Sequence, residues 1–214
     1  MQSDIAGIRK TYARQSLSEA DIDKNAIVQF GKWWQEAVDS QIDEVNAMTL
    51  ATASSDGIPS ARIVLLKGFS EEGFVFFTNY NSYKGKQLTE NPKACLVFFW
   101  KELERQVRIT GIIRKVSAAE SDEYFHSRPV GSQIGAAVSP QSSIIESREW
   151  LEKKYEEMEK KTGNGAVERP SHWGGYVLTP VLIEFWQGRP SRLHDRFEYS
   201  LLENGSWKAE RLAP

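Results

Sequence analysis

The chain has 214 residues, 40% of them hydrophobic and 26% charged, with a formal net charge of -2. This is the composition of an ordinary soluble globular protein with a real core, and it gives no support to a broad nucleic-acid surface. No apolar run approaches a membrane span. Residues 1–5 lack the basic and apolar regions of a secretory leader, and the single cysteine, Cys95, excludes an internal disulfide and a cysteine-based metal site; the expected compartment is the cytoplasm.

Residues 1–20 are polar, with Arg9, Lys10, Thr11, Tyr12 and Arg14, and read as a loose arm or a short helix. Ile27, Phe30, Trp33, Trp34, Ala37, Val38 and Ile42 follow helical spacing and predict a helix over 25–42 with one buried face. The pattern then changes to strands at 48–53, 61–67 and 74–78, the first two joined by the hairpin signal Asp56-Gly57. A short helix at 83–90 stops before Pro92. Strands at 94–100 and 106–116 follow. Ser117 and Glu120 have the spacing of a capping box for a helix over 117–127, closed by Pro129. A short helical turn is expected at 133–138 and a charged surface helix at 143–161, ending at Gly163-Asn164-Gly165. The closing strands are 173–177, 181–186, 192–202 and 207–212, with Asn204-Gly205 turning between the last two. Hairpins with helices at the start and on the crossovers predict an antiparallel barrel with flanking helices, mainly β or α+β. The expected organisation is an arm over 1–20 and a single domain over 21–214. No glycine-rich dinucleotide loop or Walker loop is present.

Basic residues cluster near the ends of apolar segments. In an extended run, Arg192, His194 and Arg196 share one face, alternating with Leu193, Asp195 and Phe197; such a face is either a solvated edge or one that meets anions. Arg62 and Lys67 flank Ile63-Val64-Leu65-Leu66, and strand parity puts them on opposite faces. Lys84 opens a short helix, a position suited to phosphate, although a solvated lysine is the plainer reading. Tyr124 and Arg128 share a helix face with Ser132 just beyond; they form either a second phosphate site or a helix end at which Arg128 satisfies the last carbonyls. Gln141, Ser142 and Ser143 are either caps or anion ligands. Gln106 offers an amide to a heterocycle edge, and Trp186 is either core or the wall of a flat ring. The three histidines lack metal-ligand spacing, and no metal is expected.

Taken together, these segments resemble the pyridoxamine (pyridoxine) 5′-phosphate oxidase family. The matching stretches are Arg62-Ile63-Val64-Leu65-Leu66-Lys67, Glu104-Arg105-Gln106-Val107, Tyr124-Phe125-His126-Ser127-Arg128-Pro129, Ser132-Gln133-Ile134-Gly135, Gln141-Ser142-Ser143, Trp173-Gly174-Gly175, Glu184-Phe185-Trp186-Gln187-Gly188, Arg192-Leu193-His194-Asp195-Arg196-Phe197 and Glu210-Arg211-Leu212-Ala213-Pro214. The resemblance implies an FMN-binding split β-barrel homodimer with FMN at the subunit interface. It implies an oxidoreductase of CH–NH2 donors that makes pyridoxal 5′-phosphate from pyridoxamine or pyridoxine 5′-phosphate, with O2 as acceptor. By the same resemblance FMN falls to Arg62, Ile63, Val64, Leu65, Leu66, Lys67, Phe77, Thr78, Tyr83, Lys84, Gln106, Gln141, Ser142, Trp186 and Arg196. The substrate phosphate falls to Lys67, Tyr124, Arg128 and Ser132, and the substrate ring to Arg192, Leu193 and His194, of which Arg192 and His194 are the implied catalytic pair. The arm at Arg9, Lys10, Thr11 and Tyr12 covers it. Tyr83 stands where the family usually has an arginine, Lys10-Thr11 replaces Arg-Glu in the arm, and Val130-Gly131 replaces a more polar pair. A non-catalytic flavin-binding split barrel, or an FMN reductase of another substrate, would not need the phosphate set and the Arg192/His194 pair together.

Overall fold

The structure is a computed structural model that describes residue 7 and residues 10–163 and 165–214. Arg9, assigned to the arm, lies outside the described residues. Nine strands and five α-helices occur among the described residues, so the mainly-β, α+β expectation holds. The strands are β1 (Ala47–Ala53), β2 (Pro59–Leu65), β3 (Gly68–Ser70), β4 (Gly73–Asn79), β5 (Lys93–Trp100), β6 (Arg105–Lys115), β7 (Trp173–Gln187), β8 (Asp195–Leu201) and β9 (Trp207–Arg211). The helices are α1 (Ala26–Asp39), α2 (Tyr83–Glu90), α3 (Ala118–Ser127), α4 (Val130–Val138) and α5 (Arg148–Thr162). The strand order is β2-β1-β5-β6-β7-β4-β3, with β8 pairing β7 and β9 pairing β8.

The chain forms two compact units. One comprises the described residues up to Thr49 together with Cys95–Thr110 and Pro180–Pro214; the other comprises Leu50–Ala94 and Gly111–Thr179. In the first, α1 starts at Asn25, whose Oδ1 accepts from the Ile27 and Val28 N–H groups at 2.7 and 3.2 Å. Its apolar face brings Phe30 within 5.3 Å of Phe98 and Trp33 within 5.2 Å of Phe185, ring centre to ring centre. Rings buried this fully contribute on the order of 2–3 kcal/mol each. In the second unit, Phe125, Ile134, Val167 and Trp173 form a cluster onto which Phe77, Tyr124, Tyr155 and Met158 pack.

Of the boundaries that differ from the sequence reading, four have a clear physical reason. The two closing strands expected at 173–177 and 181–186 are one strand, β7: residues 173–178 pair with β4 and residues 182–187 pair with β8, and Pro180 falls between the two runs, needed by neither of these ladders. Helix α5 begins at Arg148 rather than Ser143, because Ser147 is its cap and accepts from Trp150 N–H. Strand β2 ends at Leu65 and β3 follows, so strand parity does not extend to Lys67. The opposite-face assignment of Arg62 and Lys67 is therefore withdrawn. The run from Arg192 is not extended either. Pro190–Arg192 is a 3-10 turn, with Ser191 and Arg192 in the left-handed region at φ 56 and 62, and β8 begins only at Asp195. The shared face proposed for Arg192, His194 and Arg196 does not exist as a strand face.

Candidate active site

A cleft of about 710 Å³ opens in the second unit, within the usual range of about 300–1,000 Å³ for small-molecule sites. Strand β2 supplies Ile63, Val64 and Leu65, with Lys67 just beyond its end; β4 supplies Phe77 and Thr78; α2 supplies Lys84; and the α3–α4 corner supplies Tyr124, Arg128 and Ser132, with Gln141 beyond it. Lys67, Lys84 and Arg128 line this cleft, and no carboxylate does so among the described residues.

One wall is aromatic. Phe77 stacks on Tyr124 at 4.0 Å, and Trp173 lies 5.6 Å from Phe77. Gly175 sits opposite Phe77 in the β4–β7 register, and a Cβ there would come within 2.7 Å of that ring; glycine lets the ring lie flat across the strand. The Arg128 guanidinium covers Trp173 at 4.7 Å. Its Nη2 donates to Ser132 O at 2.9 Å, while its buried Nη1 has no hydrogen-bond partner. Burial lowers the Arg128 pKa, with Tyr124 acting in the other direction. Lys67 lies over the Tyr124 ring at 5.8 Å.

At the other end Lys84 donates to Thr78 Oγ1 and to Gln141 Oε1, both at 3.2 Å. Burial, then the charge of Arg62, holds the Lys84 pKa below its ordinary value. Arg62 itself donates to Thr52 Oγ1 at 2.6 Å and to Leu50 O at 3.1 Å; it flanks Lys84 without lining the cleft. Tyr83, in the position where the family resemblance expects arginine, is exposed. Leu66 is buried in the core, and Ser142 is exposed at φ 70.

The first unit holds a second pocket of about 660 Å³ lined by Lys10, Thr11, Tyr12, Arg189, Ser191, Arg192 and His194. His194 packs against Trp186 at 4.6 Å, and Tyr12 meets both rings, edge-on to Trp186 at 5.8 Å and 6.1 Å from His194. The Arg189 N–H donates to His194 Nδ1 at 3.1 Å, which puts the proton of the neutral ring on Nε2. Burial and then Arg192 lower its pKa, with Asp195 opposing. Leu193 is exposed. Arg196, opposite Trp186 in the β7–β8 register, is paired with Glu184 at 3.0 Å and donates to Ala213 O at 2.7 Å. Gln106 is half-buried on the β6 face that alternates with Arg105 and Val107. Sequence reasoning gave no role to Trp173, Arg189 or Glu104. The Trp-Gly-Gly and Glu-Arg-Gln strings contained two of them, but pairings some ninety residues apart leave no spacing signal.

An antiparallel sheet with crossover helices thus carries a cleft whose described lining is cationic, free of carboxylates and walled by aromatic rings, chemistry suited to a flat, anionic ligand. Residues 34–162 match the family described as pyridoxamine 5′-phosphate oxidase, and residues 173–214 match the pyridoxine 5′-phosphate oxidase C-terminal dimerisation region. A pyridoxine/pyridoxamine 5′-phosphate oxidase of Nostoc punctiforme is 57% identical over 214 residues, covering 100% of each chain. Among solved structures, PhzG from Burkholderia lata 383, in complex with tetrahydrophenazine-1-carboxylic acid, superposes with a TM-score of 0.88 at 30% identity over 94% of this chain and 100% of that one. A pyridoxamine 5′-phosphate oxidase-related, FMN binding protein from Nostoc punctiforme shares the fold, with a TM-score of 0.70 at 16% identity over 86% of this chain and 96% of that one. The chain belongs to the pyridoxine/pyridoxamine 5′-phosphate oxidase family of oxidoreductases, with the split-barrel fold expected from its sequence.

Proposed function

We propose that the protein oxidises pyridoxamine and pyridoxine 5′-phosphates to pyridoxal 5′-phosphate with FMN as cofactor and O2 as acceptor, giving H2O2 and, from the amine, ammonia. It works as a cytoplasmic homodimer with FMN at the subunit interface. The observation that carries this reading is the meeting of Lys67, Tyr124, Arg128 and Ser132 in one cleft with Thr78, Lys84 and Gln141. Two anion-binding ends stand beside a flat aromatic wall there.

The residues suit FMN and a phosphorylated substrate. The Arg128 Nη1 hydrogen is buried and unpaired, a costly arrangement that an anion relieves. A phosphate beside Lys84 raises its proton affinity, against the burial and then the Arg62 charge that lower it. In this reading Lys84, Thr78 and Gln141, with Arg62 behind them, hold FMN; for Gln106, Trp186 and Arg196 the support for a flavin role is the family resemblance alone. Lys67, Arg128, Tyr124 and Ser132 hold the substrate phosphate. FMN, when bound, supplies the hydride acceptor and the path of electrons to O2. The protein's part is positioning: fixing the substrate at its phosphate restricts its approach. Arg192 offers positive charge to the oxygen or amine that is oxidised, and His194 offers an Nε2–H donor.

The PhzG neighbour's ligand is a carboxylic acid without a phosphate, which raises a second reading: oxidation of a reduced tricyclic acid. Lys67 and Arg128 in one cleft favour the vitamer phosphates. The test is anaerobic addition of pyridoxamine 5′-phosphate, pyridoxine 5′-phosphate or the tricyclic acid to the yellow protein. Either vitamer is expected to bleach the flavin absorbance, with pyridoxal 5′-phosphate formed in equal amount. A flavin that stays oxidised with both vitamers overturns the proposal.

A further inference from the structure

Glu104 is an unusual place for a carboxylate. It is 6% exposed and sits in left-handed backbone, φ 55, between the 3-10 turn Lys101–Leu103 and β6. Its Oε2 accepts from the Ala13 N–H at 2.9 Å and the Arg14 N–H at 3.1 Å, and its Oε1 lies 3.5 Å from Lys10 Nζ. The Arg14 Nη1 donates to the neighbouring Glu102 carbonyl at 2.6 Å. Burial alone would raise the Glu104 pKa, but the two backbone N–H groups and Lys10 outweigh it and the net shift is downward. A buried carboxylate is stable only when it is met, and these partners all come from the arm.

The same residue also grips the other side of the pocket. The Glu104 carbonyl accepts from the Gly188 N–H at 2.8 Å, just past the strand end that carries Trp186. Gly188 is where Tyr12 rests: a Cβ at that position would fall 2.8 Å from the tyrosine side chain. One residue thus ties together the arm that presents Lys10 and Tyr12 and the surface on which Tyr12 lies, beside His194.

We infer that Glu104 is a positioning residue for substrate, fastening the N-terminal arm so that Tyr12 stands over the Arg192/His194 pocket. The inference rests on the proposed oxidase reading for its kinetic consequence, but not for its structural one. Downstream of Tyr12, Asp195 Oδ2 accepts from the Leu17 N–H at 3.0 Å and Arg211 pairs with Glu19 at 2.8 Å, so releasing Glu104 loosens residues 10–13 and leaves Arg14 its bond to the Glu102 carbonyl, while the rest of the arm stays attached.

The test uses the full-length flavoprotein as Glu104→Ala, Glu104→Gln, Tyr12→Ala and the Glu104→Ala/Tyr12→Ala double variant. KM and kcat for pyridoxamine 5′-phosphate are measured beside the rate of tryptic cleavage after Lys10 and Arg14. Glu104→Ala is expected to raise KM about tenfold with kcat within about twofold, a loss of binding rather than of chemistry, and to accelerate cleavage on the order of tenfold. Glu104→Gln, whose amide oxygen accepts the same two N–H groups, recovers most of both. In the Tyr12→Ala background, Glu104→Ala adds no further rise in KM, because coupled residues are non-additive. Should Glu104→Ala fail to fold, Gly188→Ala displaces Tyr12 without removing a hydrogen bond and is expected to give the same rise in KM. Unchanged KM and cleavage in folded Glu104→Ala, a glutamine variant as impaired as the alanine one, or full additivity with Tyr12→Ala each overturns the inference. If the wild type turns over neither vitamer phosphate, it is the oxidase reading that fails, and cleavage alone still decides the role of Glu104.

Discussion

His194 shows how much chemistry one hydrogen bond fixes. With the Arg189 N–H on Nδ1, the ring cannot take up a proton there without breaking that bond, and burial and Arg192 both disfavour the imidazolium. A folded-state pKa below 6.5 means the ring is neutral at neutral pH, acting as an Nε2–H donor rather than a base. His194→Gln, which keeps a donor at a similar reach, is expected to retain kcat/KM within about threefold, whereas His194→Ala loses about tenfold, the worth of one hydrogen bond to substrate. The expected pH profile has no ionisation at or above 6.5 that disappears in His194→Gln; finding one would assign proton transfer to the ring. Which residues gather here was legible from the Arg-Leu-His string, but not how. The left-handed φ of Ser191 and Arg192 is a choice L-residues seldom make, and only the surrounding fold imposes it. Glu104 was hidden for a similar reason: nothing local marks a glutamate as the anchor of an arm about ninety residues away.

At the scale of elements, periodicity and capping did most of the predicting. The capping box at Ser117 formed as its spacing implied: Ser117 Oγ accepts from the Glu120 N–H at 3.1 Å, and Glu120 Oε2 accepts from the Ser117 N–H at 2.9 Å. Because α3 carries Tyr124 and leads into Arg128, fraying at its start matters to the cleft. Ser117→Ala is expected to cost about 1 kcal/mol, read as a lower urea midpoint with unchanged slope; a midpoint equal to the wild type would mean tertiary packing alone fixes the helix start. Apart from the start of α5, set by its own cap Ser147, the elements that were misread depended on partners or on length. Pro180 looks like a strand break until the β4 and β8 registers are known, and the three residues of β3 are too few to carry a pattern.

For the whole molecule, acid is the expected weak point. Glu19 is held down at about 2 by its hydrogen bonds to Arg211 and the backbone. Hydrogen bonds from Ser18 to Asp21, from the Asn25 backbone and Lys32 to Asp23, and from Arg169 to Asp122 lower those carboxyls too. A carboxyl whose folded pKa is depressed stabilises the fold fully above its unfolded value and loses that contribution as pH falls through the folded one. For Glu19 the window therefore runs from 4.5 down to about 2. Thermal midpoints are expected to hold between pH 7 and about 5 and to drop steadily below 4.5; a midpoint still unchanged at pH 3 would refute this. The fold class was legible because short matching strings span nearly the whole chain in order. The closure of the cleft was not, since Lys67, Thr78, Arg128 and Gln141 meet only through the sheet.

The gathering of Lys67, Lys84 and Arg128 without a lining carboxylate has a consequence for the protein's lifetime. Cations partly withdrawn from water with no anion to meet them cost free energy that a bound anion would relieve. A ligand at a hundredfold its Kd deepens the folded state by about 2.7 kcal/mol, and a protease acting on transiently opened molecules sees roughly a hundredfold fewer of them. Stripped protein is expected to melt lower than the flavin-loaded form and to regain part of the difference in inorganic phosphate, but not in an equal ionic strength of chloride. On the oxidase reading proposed above, a cell short of flavin would clear the chain faster, and its abundance would track its cofactor's supply without any dedicated regulator.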